Sequence, residues 1–279
     1  MKSGPAYREE QVIIPQGADW LYAMLHAPAS PAKNLVLICN PLFEERKSAH
    51  RVLVDMARSL CLQGSAVLRF DYRGCGDSSG SFESFSVRDW IDDIRAAGVF
   101  LKSRAPDRHI VLAGLRLGCA LAMQAWRDIG AERLVLLEPI LSGAEYLDQE
   151  FRKSLIKEMM TSGSGTRTGE SVHDDLLQGK TVDFDGFPVS PVLYRDMAAL
   201  DVSRHEAASP RKVLVVNVTS LDHLSPKLLK LCSSLKSHGS DVQASVVSEP
   251  PFWNLVDIVD SSNLIKTTTD WMQVTDEHD

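Results

Sequence analysis

The sequence predicts an α/β protein built on a mostly parallel central sheet with helices on both faces. Three observations carry that expectation. Short apolar runs of strand length alternate with stretches of helical periodicity through most of the chain. Turn-forming residues follow the apolar runs, at the points where a strand hands over to a helix. The 279 residues, 44% hydrophobic and 24% charged, supply one large core without a need to split into two domains.

The elements follow in order. Residues 11–14 and 20–26 read as an antiparallel hairpin that opens the sheet. Four runs of parallel-strand type come next, at Leu35–Cys39, Ala66–Phe70, 109–113 and 134–137. Between them Val87, Ile91, Ile94, Gly98 and Leu101 recur at spacings of four and three, which places them on one face of a helix. Leu224, Leu228, Leu231 and Leu235 repeat the pattern further on, and both stripes are assigned to the core rather than to a partner's groove. From residue 139 to 210 the alternation lapses. This stretch reads as a cap inserted over the sheet, with a mobile Gly-, Ser- and Thr-rich loop at 161–170 in its middle. Regular order resumes with Lys212–Val218, the leucine-striped helix, a strand at 242–247 and a helix near 264–272, before a disordered tail at 276–279. Residues 1–279 are thus expected to form one domain.

A net charge of −7 speaks against a general nucleic-acid or anionic-membrane surface, either of which needs a clustered basic face. The first residues lack the apolar run of a secretory signal, and no uncharged stretch reaches membrane-spanning length, so a cytoplasmic location is expected. Five cysteines, Cys39, Cys61, Cys75, Cys119 and Cys232, are odd in number and lack C-x-x-C spacing. They point to buried thiols rather than to a disulfide framework or a zinc site. No metal or cofactor motif is read.

The informative segment is HIVLAGLRLGCALA at 109–122, in which a strand runs into Gly114-Leu115-Arg116-Leu117-Gly118 and on into an alanine-rich helix. Two glycines at that spacing let a tight turn pass close to neighbouring backbone, so that the central side chain projects above the sheet. This is the setting of a G-x-S-x-G nucleophile elbow, with Arg116 in place of serine. Before it stands Arg69-Phe70-Asp71-Tyr72-Arg73-Gly74-Cys75-Gly76-Asp77-Ser78-Ser79-Gly80, which resembles the D-x-R-G-x-G-x-S loop of serine-aminopeptidase-like and esterase-like α/β hydrolases.

A closer resemblance covers nearly the whole chain. Asn40-Pro41-Leu42-Phe43-Glu44-Glu45, Gly74 to Gly80, Gly114 to Gly118, Pro139-Ile140-Leu141-Ser142-Gly143, Gly186-Phe187-Pro188-Val189-Ser190-Pro191 and Glu249-Pro250-Pro251-Phe252-Trp253 carry it. Together they are similar to the second of the two hydrolase-like proteins that accompany exosortase/PEP-CTERM and exopolysaccharide systems in Gram-negative bacteria. The resemblance implies an α/β-hydrolase fold, tolerance of arginine at the elbow, and a setting in surface-polysaccharide or exosortase-linked export with a protein partner there. Two departures stand out: Glu138 replaces an uncharged polar residue, and an extra proline interrupts the Glu-Pro-Phe-Trp motif.

Arginine cannot act as the serine does, because its guanidinium stays protonated and offers no nucleophilic lone pair. The base is missing as well. A triad histidine belongs after the last strand, and after Val247 only His278 follows. His109 begins its strand at the end away from the elbow, and His26, His173, His205 and His238 read as surface or structural residues. His223, next to Asp222 just beyond a strand, is the one kept as a candidate. Asp222 itself either holds the acid position or caps the helix before Leu224. Cys119, in the first turn of the elbow helix, is either a displaced nucleophile activated by the helix dipole or a buried thiol.

A cation at a helix N-terminus opposes the macrodipole by ~0.3–1 kcal/mol and needs an acidic partner. Glu44, Glu45, Glu138 and Glu249 all follow strands at the same sheet edge, and Glu249 or Glu45 is expected within salt-bridge reach of Arg116. The backbone N–H groups of Leu117 and Leu42 are expected to form an oxyanion-hole pair, and Phe252 and Trp253 to wall the pocket. Either a closed ion-pair cluster plugs this site, or Arg116 keeps one face open for a ligand carboxylate, phosphate or acyl group. The leading expectation is a protein that has lost serine catalysis and binds a small acyl, carboxylate or glycolipid-precursor ligand. One alternative is an esterase, thioesterase or acyltransferase that uses Cys119, or a water held by Asp222 and His223. Another is a non-catalytic interaction protein with a plugged pocket.

Overall fold

Strand β1 (Tyr7–Gln16) turns back at Gly17, whose φ of +66° suits glycine, and pairs antiparallel with β2 (Asp19–Pro28). The computed structural model describes residues 7–162, 169–202 and 209–276. Four strands follow: β3 (Leu35–Cys39), β4 (Ala66–Phe70), β5 (Ile110–Leu115) and β6 (Arg133–Leu137). A separate two-stranded ribbon, β7 (Val182–Phe184) with β8 (Phe187–Val189), precedes β9 (Lys212–Val218) and β10 (Asp241–Val247). The main sheet runs β1-β2-β4-β3-β5-β6-β9-β10 and is parallel from β4 onward, with β2 antiparallel to β4. Every residue of β3, β5 and β6 is buried, which is why those strands read as continuous apolar runs rather than alternating ones.

Eight helices complete the described chain: α1 (Phe43–Leu62), α2 (Val87–Arg104), α3 (Leu117–Ile129), α4 (Gly143–Ser162), α5 (Gly169–Leu177), α6 (Pro191–Ala198), α7 (Pro226–Ser237) and α8 (Ser262–Asp276). α1 and α8 cover one face of the sheet around Met56, Val111, Leu214 and Trp271. α2, α3 and α7 cover the other around Trp90, Leu112, Leu121 and Leu231. No helix among the described residues is long and apolar enough to cross a membrane.

The expected strands lie within two residues of those observed, except that β1 and β2 run longer. Their extra residues belong to a ladder whose outer side is solvated, so pairing rather than apolar content sets their length. The stripe on α2 is deeper than its period indicated, because Trp90 and Ala97 are fully buried while Ile91 is only partly so. α7 begins at Pro226, with Ser225 accepting from the Leu228 amide, so Leu224 precedes the helix and Asp222 does not cap it.

Between β6 and β9 lie α4, α5, the ribbon and α6, none of which the sequence marked individually. Their aromatics converge on the start of α1. The Phe43 ring lies 5.2 Å from Phe184, 5.4 Å from Phe187 and 6.3 Å from Tyr146. Of the loop expected at 161–170, residues 161–162 end α4 and 169–170 begin α5, while 163–168 lie outside the described residues. Of the tail, Asp276 closes α8 and 277–279 lie outside them. His205 and His278 do too.

The glycine-punctuated loop after β4 is held by Arg73. Its Nε donates to Asp93 Oδ1 at 2.6 Å, its backbone N–H to Asp93 Oδ2 at 2.9 Å, and Nη2 to the Asp89 carbonyl at 3.1 Å. Trp90 donates its indole N–H to the Arg73 carbonyl at 3.1 Å. At Gly74, with φ +75°, a Cβ would lie 2.9 Å from the Phe82 backbone, so the loop can close only with glycine there.

Candidate functional site

Arg116 sits between β5 and α3 with φ 54° and ψ −120°, a region that non-glycine residues rarely enter. The surroundings hold it there. Its N–H donates to the Leu137 carbonyl at 3.0 Å, and its own carbonyl accepts from Cys119 at 3.0 Å and Ile140 at 3.3 Å. The flanking glycines are required by close approach: a Cβ on Gly114 would stand 2.6 Å from Cys119 backbone, and one on Gly118 would stand 2.2 Å from the Cys39 carbonyl. The backbone after β3 therefore passes directly over the first turn of α3.

The Arg116 side chain is 11% exposed, and its Nε donates to Glu45 Oε1 at 3.0 Å. Glu45 belongs to the first turn of α1 and is itself buried, with Oε2 accepting from the Tyr146 hydroxyl at 3.2 Å. Aromatic rings hold the guanidinium on two further sides, Trp253 at 5.1 Å and Tyr146 at 5.9 Å. Burial pushes the Glu45 carboxyl up against the opposing pull of Arg116, and pushes the Tyr146 hydroxyl well above its usual range.

Among the described residues neither terminal nitrogen of Arg116 has a hydrogen-bond or ion-pair partner. Arg116 lines a cleft of about 220 Å³, together with Ser142, Gln149 and the ion-paired Glu145 and Lys227. Glu138 lines it too, but is committed elsewhere: its Oε2 accepts from Asn217 Nδ2 at 2.8 Å and from the Val218 N–H at 2.7 Å. Among the described residues one carboxylate, not a cage of them, meets Arg116.

Leu42 immediately precedes α1 and Leu117 opens α3, whose first-turn amides have no acceptor within the helix. Phe252 and Trp253 form a short helical turn after β10, both buried, with rings 5.0 Å apart and edge-on. Trp253 reaches the site, whereas Phe252 packs in the core on the α1 and α8 side.

Two expectations need correction, and the alternative left open at Cys119 falls to the buried thiol. Glu249 does not meet Arg116; its Oε1 accepts from the Asn263 and Leu264 amides at 2.7 and 3.2 Å and so caps α8. Asp222 has a fully exposed side chain whose partner is the exposed His223, Nδ1 to Oδ1 at 3.0 Å, so no buried acid or oriented base is formed there. Cys119 is fully buried, with its thiol donating weakly to the Leu137 carbonyl at 3.5 Å. Burial pushes that thiol well above its usual range, against the weaker pull of its hydrogen bond to Leu137. Cys39 and Cys75 are likewise buried and pushed to about 12. Tyr146 was missed, because it lies in the stretch without regular alternation and nothing local marks a tyrosine whose partner is 101 residues away.

A mostly parallel sheet wrapped by helices on both faces, with a strained strand-to-helix elbow at its centre, defines an α/β hydrolase fold. Residues 30–172, just over half the chain, match the family model described as Serine aminopeptidase, S33, and the chain belongs to that family. Solved structures agree on the fold. Est1E from Butyrivibrio proteoclasticus with ferulic acid bound is 18% identical with a TM-score of 0.66, over 96% of this chain and 100% of that one. Proline iminopeptidase from Mycobacterium smegmatis is 14% identical with a TM-score of 0.62, over 96% and 99%. The esterase Pf2001 from Pyrococcus furiosus is 13% identical with a TM-score of 0.61, over 96% and 90%. No curated protein sequence matches the chain.

Proposed function

We propose that this chain is a serine-hydrolase relative in which Arg116 has replaced the nucleophile, and that it binds a small ligand through a carboxylate or acyl group at the old site. Acyl-serine hydrolysis is lost in this reading. The observation that carries it is the half-satisfied guanidinium: Glu45 takes Nε, the Trp253 and Tyr146 rings flank it, and neither terminal nitrogen has a partner among the described residues, on a residue that lines the cleft. A guanidinium so held presents two parallel donors to a carboxylate and loses little freedom on binding. The Leu117 amide at the start of α3 adds a backbone donor. A plug would have engaged every edge of the arginine, and the exposed Asp222 and His223 do not favour a water-activating enzyme.

In this reading, for which the motif resemblance is the support, the ligand belongs to surface-polysaccharide or exosortase-linked export in the cytoplasm, the chain works with a protein partner there, and a glycolipid precursor or its acyl chain is the candidate. The test is calorimetric titration of straight-chain carboxylates, butyrate to decanoate, into wild type and Arg116→Gln, with p-nitrophenyl butyrate hydrolysis in parallel. Binding that falls by about tenfold or more in the variant, with hydrolysis at background, is the expected result. Turnover of the ester at ordinary enzyme rates, or equal binding by both proteins, would sink the reading.

A further inference from the structure

We propose a second ligand site, in the cleft between α1 and the β2–β4 part of the sheet, that holds a small carboxylate-bearing molecule end-on through Arg69. The place follows from strand register. β2 and β4 pair with Met24 opposite Arg69 and His26 opposite Val67, and Val67 belongs to the core on the α1 side. Tyr22, Met24 and Arg69 therefore share the face toward α1. Arg46, His50 and Leu53 of α1 form the opposite wall. The cleft holds about 510 Å³, within the range of small-molecule sites. It is distinct from the elbow, since Glu45 carries one side of α1 to Arg116 while Arg46 and His50 line this cleft.

Arg69 is partly buried and has no ion-pair partner among the described residues. Its Nε donates to His26 Nε2 at 3.2 Å, but His26 is wholly buried and neutral, its pKa lowered to about 4 by burial and then by Arg69 itself. The nearest carboxylates are committed. Asp71 accepts from Arg46 through Oδ1 at 3.0 Å and from the Asp77 N–H through Oδ2 at 3.1 Å. Glu9 Oε1 accepts from Arg58 at 2.8 Å and faces His26 Nδ1 at 3.4 Å. Among the described residues neither terminal nitrogen of Arg69 has a hydrogen-bond or ion-pair partner. Burial also pulls the Arg69 guanidinium below its usual range, against the weaker pull of Asp71 and Glu9.

The chemistry selects the class of ligand. With Nε taken by His26, Arg69 offers its flat Nη1–Nη2 edge, which fits the two oxygens of a carboxylate. Arg46 and Asp71 balance each other, Asp77 adds a negative charge and His50 has its pKa lowered by burial, so one negative charge suits the cleft better than two. Met24 and Leu53 offer apolar surface to the rest of the molecule.

The test is a titration of sodium benzoate into the full-length protein labelled with ¹⁵N-histidine and ¹⁵N-tryptophan. Saturable shifts of the His26 and His50 ring signals are expected. They should persist in Arg116→Gln, weaken partly in Arg69→Lys and weaken about tenfold or more in Arg69→Gln. Inorganic phosphate should bind less tightly than benzoate. Histidine signals that stay still while the Trp253 indole moves would overturn the proposal, since the anion then sits at Arg116. Unchanged affinity in Arg69→Gln would also overturn it, and tighter binding of phosphate would overturn the carboxylate assignment. Should Arg69→Gln melt early, Arg69→Lys and the wild-type shifts still decide.

Discussion

The two glycine-punctuated turns of this chain each carry an arginine, and the side chains of both, Arg73 and Arg116, are 11% exposed. Burial does not distinguish them; the number of partners does. Arg73 is met by Asp93 at its Nε and its backbone, by the Asp89 carbonyl at Nη2, and by the Phe85 ring at 5.0 Å. Among the described residues Arg116 has one carboxylate and two rings, its terminal nitrogens have no partner, and the residue lines a cleft. The first arginine is a strut that closes a loop. The second is oriented as firmly but left incomplete, which is the condition for recognising something from outside.

The comparison predicts unequal costs when the carboxylate partners are removed. Asp93→Ala leaves the buried Nε and backbone N–H of Arg73 unmet, with only the longer contacts to Asp89 and Asp19 in reserve, and should cost about 3–5 kcal/mol in urea unfolding. Benzoate binding in the fraction that remains folded should be unaffected. Glu45→Ala should cost less, about 1–3 kcal/mol, because Arg116 can turn its Nε toward the water of the neighbouring cleft. Equal losses would erase the distinction between the strut and the site.

The pH dependence separates the regions again, with opposite signs. His26 has its pKa lowered from 6.5 to about 4, so its contribution is complete above 6.5 and is lost as pH falls through 4. Asp93 has its pKa raised from 3.8 to about 6, chiefly by burial, so its proton stabilises below 3.8 and that contribution is lost as pH rises through 6. The two oppose each other between about 4 and 6. The stability of wild type minus that of His26→Gln should therefore grow with rising pH across this window, by up to about 3 kcal/mol. A difference that is flat with pH would show that His26 is not held neutral against Arg69.

The same contrast explains what the sequence could reveal. Buried parallel strands announce themselves because both faces are apolar, so β3, β4, β5, β6 and β9 were legible nearly to the residue. The elbow was legible because only glycine tolerates a Cβ-free approach of 2.2 Å to the Cys39 carbonyl, which leaves a mark in the residue type itself. Partnership leaves no such mark. Glu45 and Glu249 look alike in the sequence, both following strands at one sheet edge, and only the packing of α8 made Glu249 a cap while α1 delivered Glu45 to Arg116. Tyr146 and the aromatic ribbon depend on contacts across the sheet edge, where neither period 2 nor period 3.6 applies.

A smaller effect should follow from Tyr146→Phe, which removes only the hydroxyl that Glu45 Oε2 accepts. The loss should be about 0.5–1.5 kcal/mol, with the Arg116 to Glu45 pair intact and carboxylate affinity changed by less than about threefold. A large loss of affinity would show that the tyrosine hydroxyl is part of the ligand site rather than a brace for Glu45.

The smallest effect, a null one, bears most directly on chemistry. If the incomplete arginine is a binding group and not a relic beside some other nucleophile, replacing the one thiol in the elbow helix should leave acyl turnover where it was. Cys119 is enclosed on all sides and its thiol is held protonated by burial, so at neutral pH almost no thiolate exists to attack an ester. Cys119→Ala should thus match wild type on p-nitrophenyl butyrate and on a short acyl thioester, both near background. Arg116→Ser should match them as well. A serine restored at φ 54° would have the elbow's geometry, yet Trp253 stands over that position, and among the described residues no histidine is there to take the hydroxyl proton and pass it on. It would also strand Glu45, whose burial already pushes its carboxyl up, so the melting temperature should fall while the rate stays flat. Turnover that appears in Arg116→Ser, or that disappears from an active wild type in Cys119→Ala, would mean that the elbow still performs acyl transfer and that the contrast between the two arginines is one of degree.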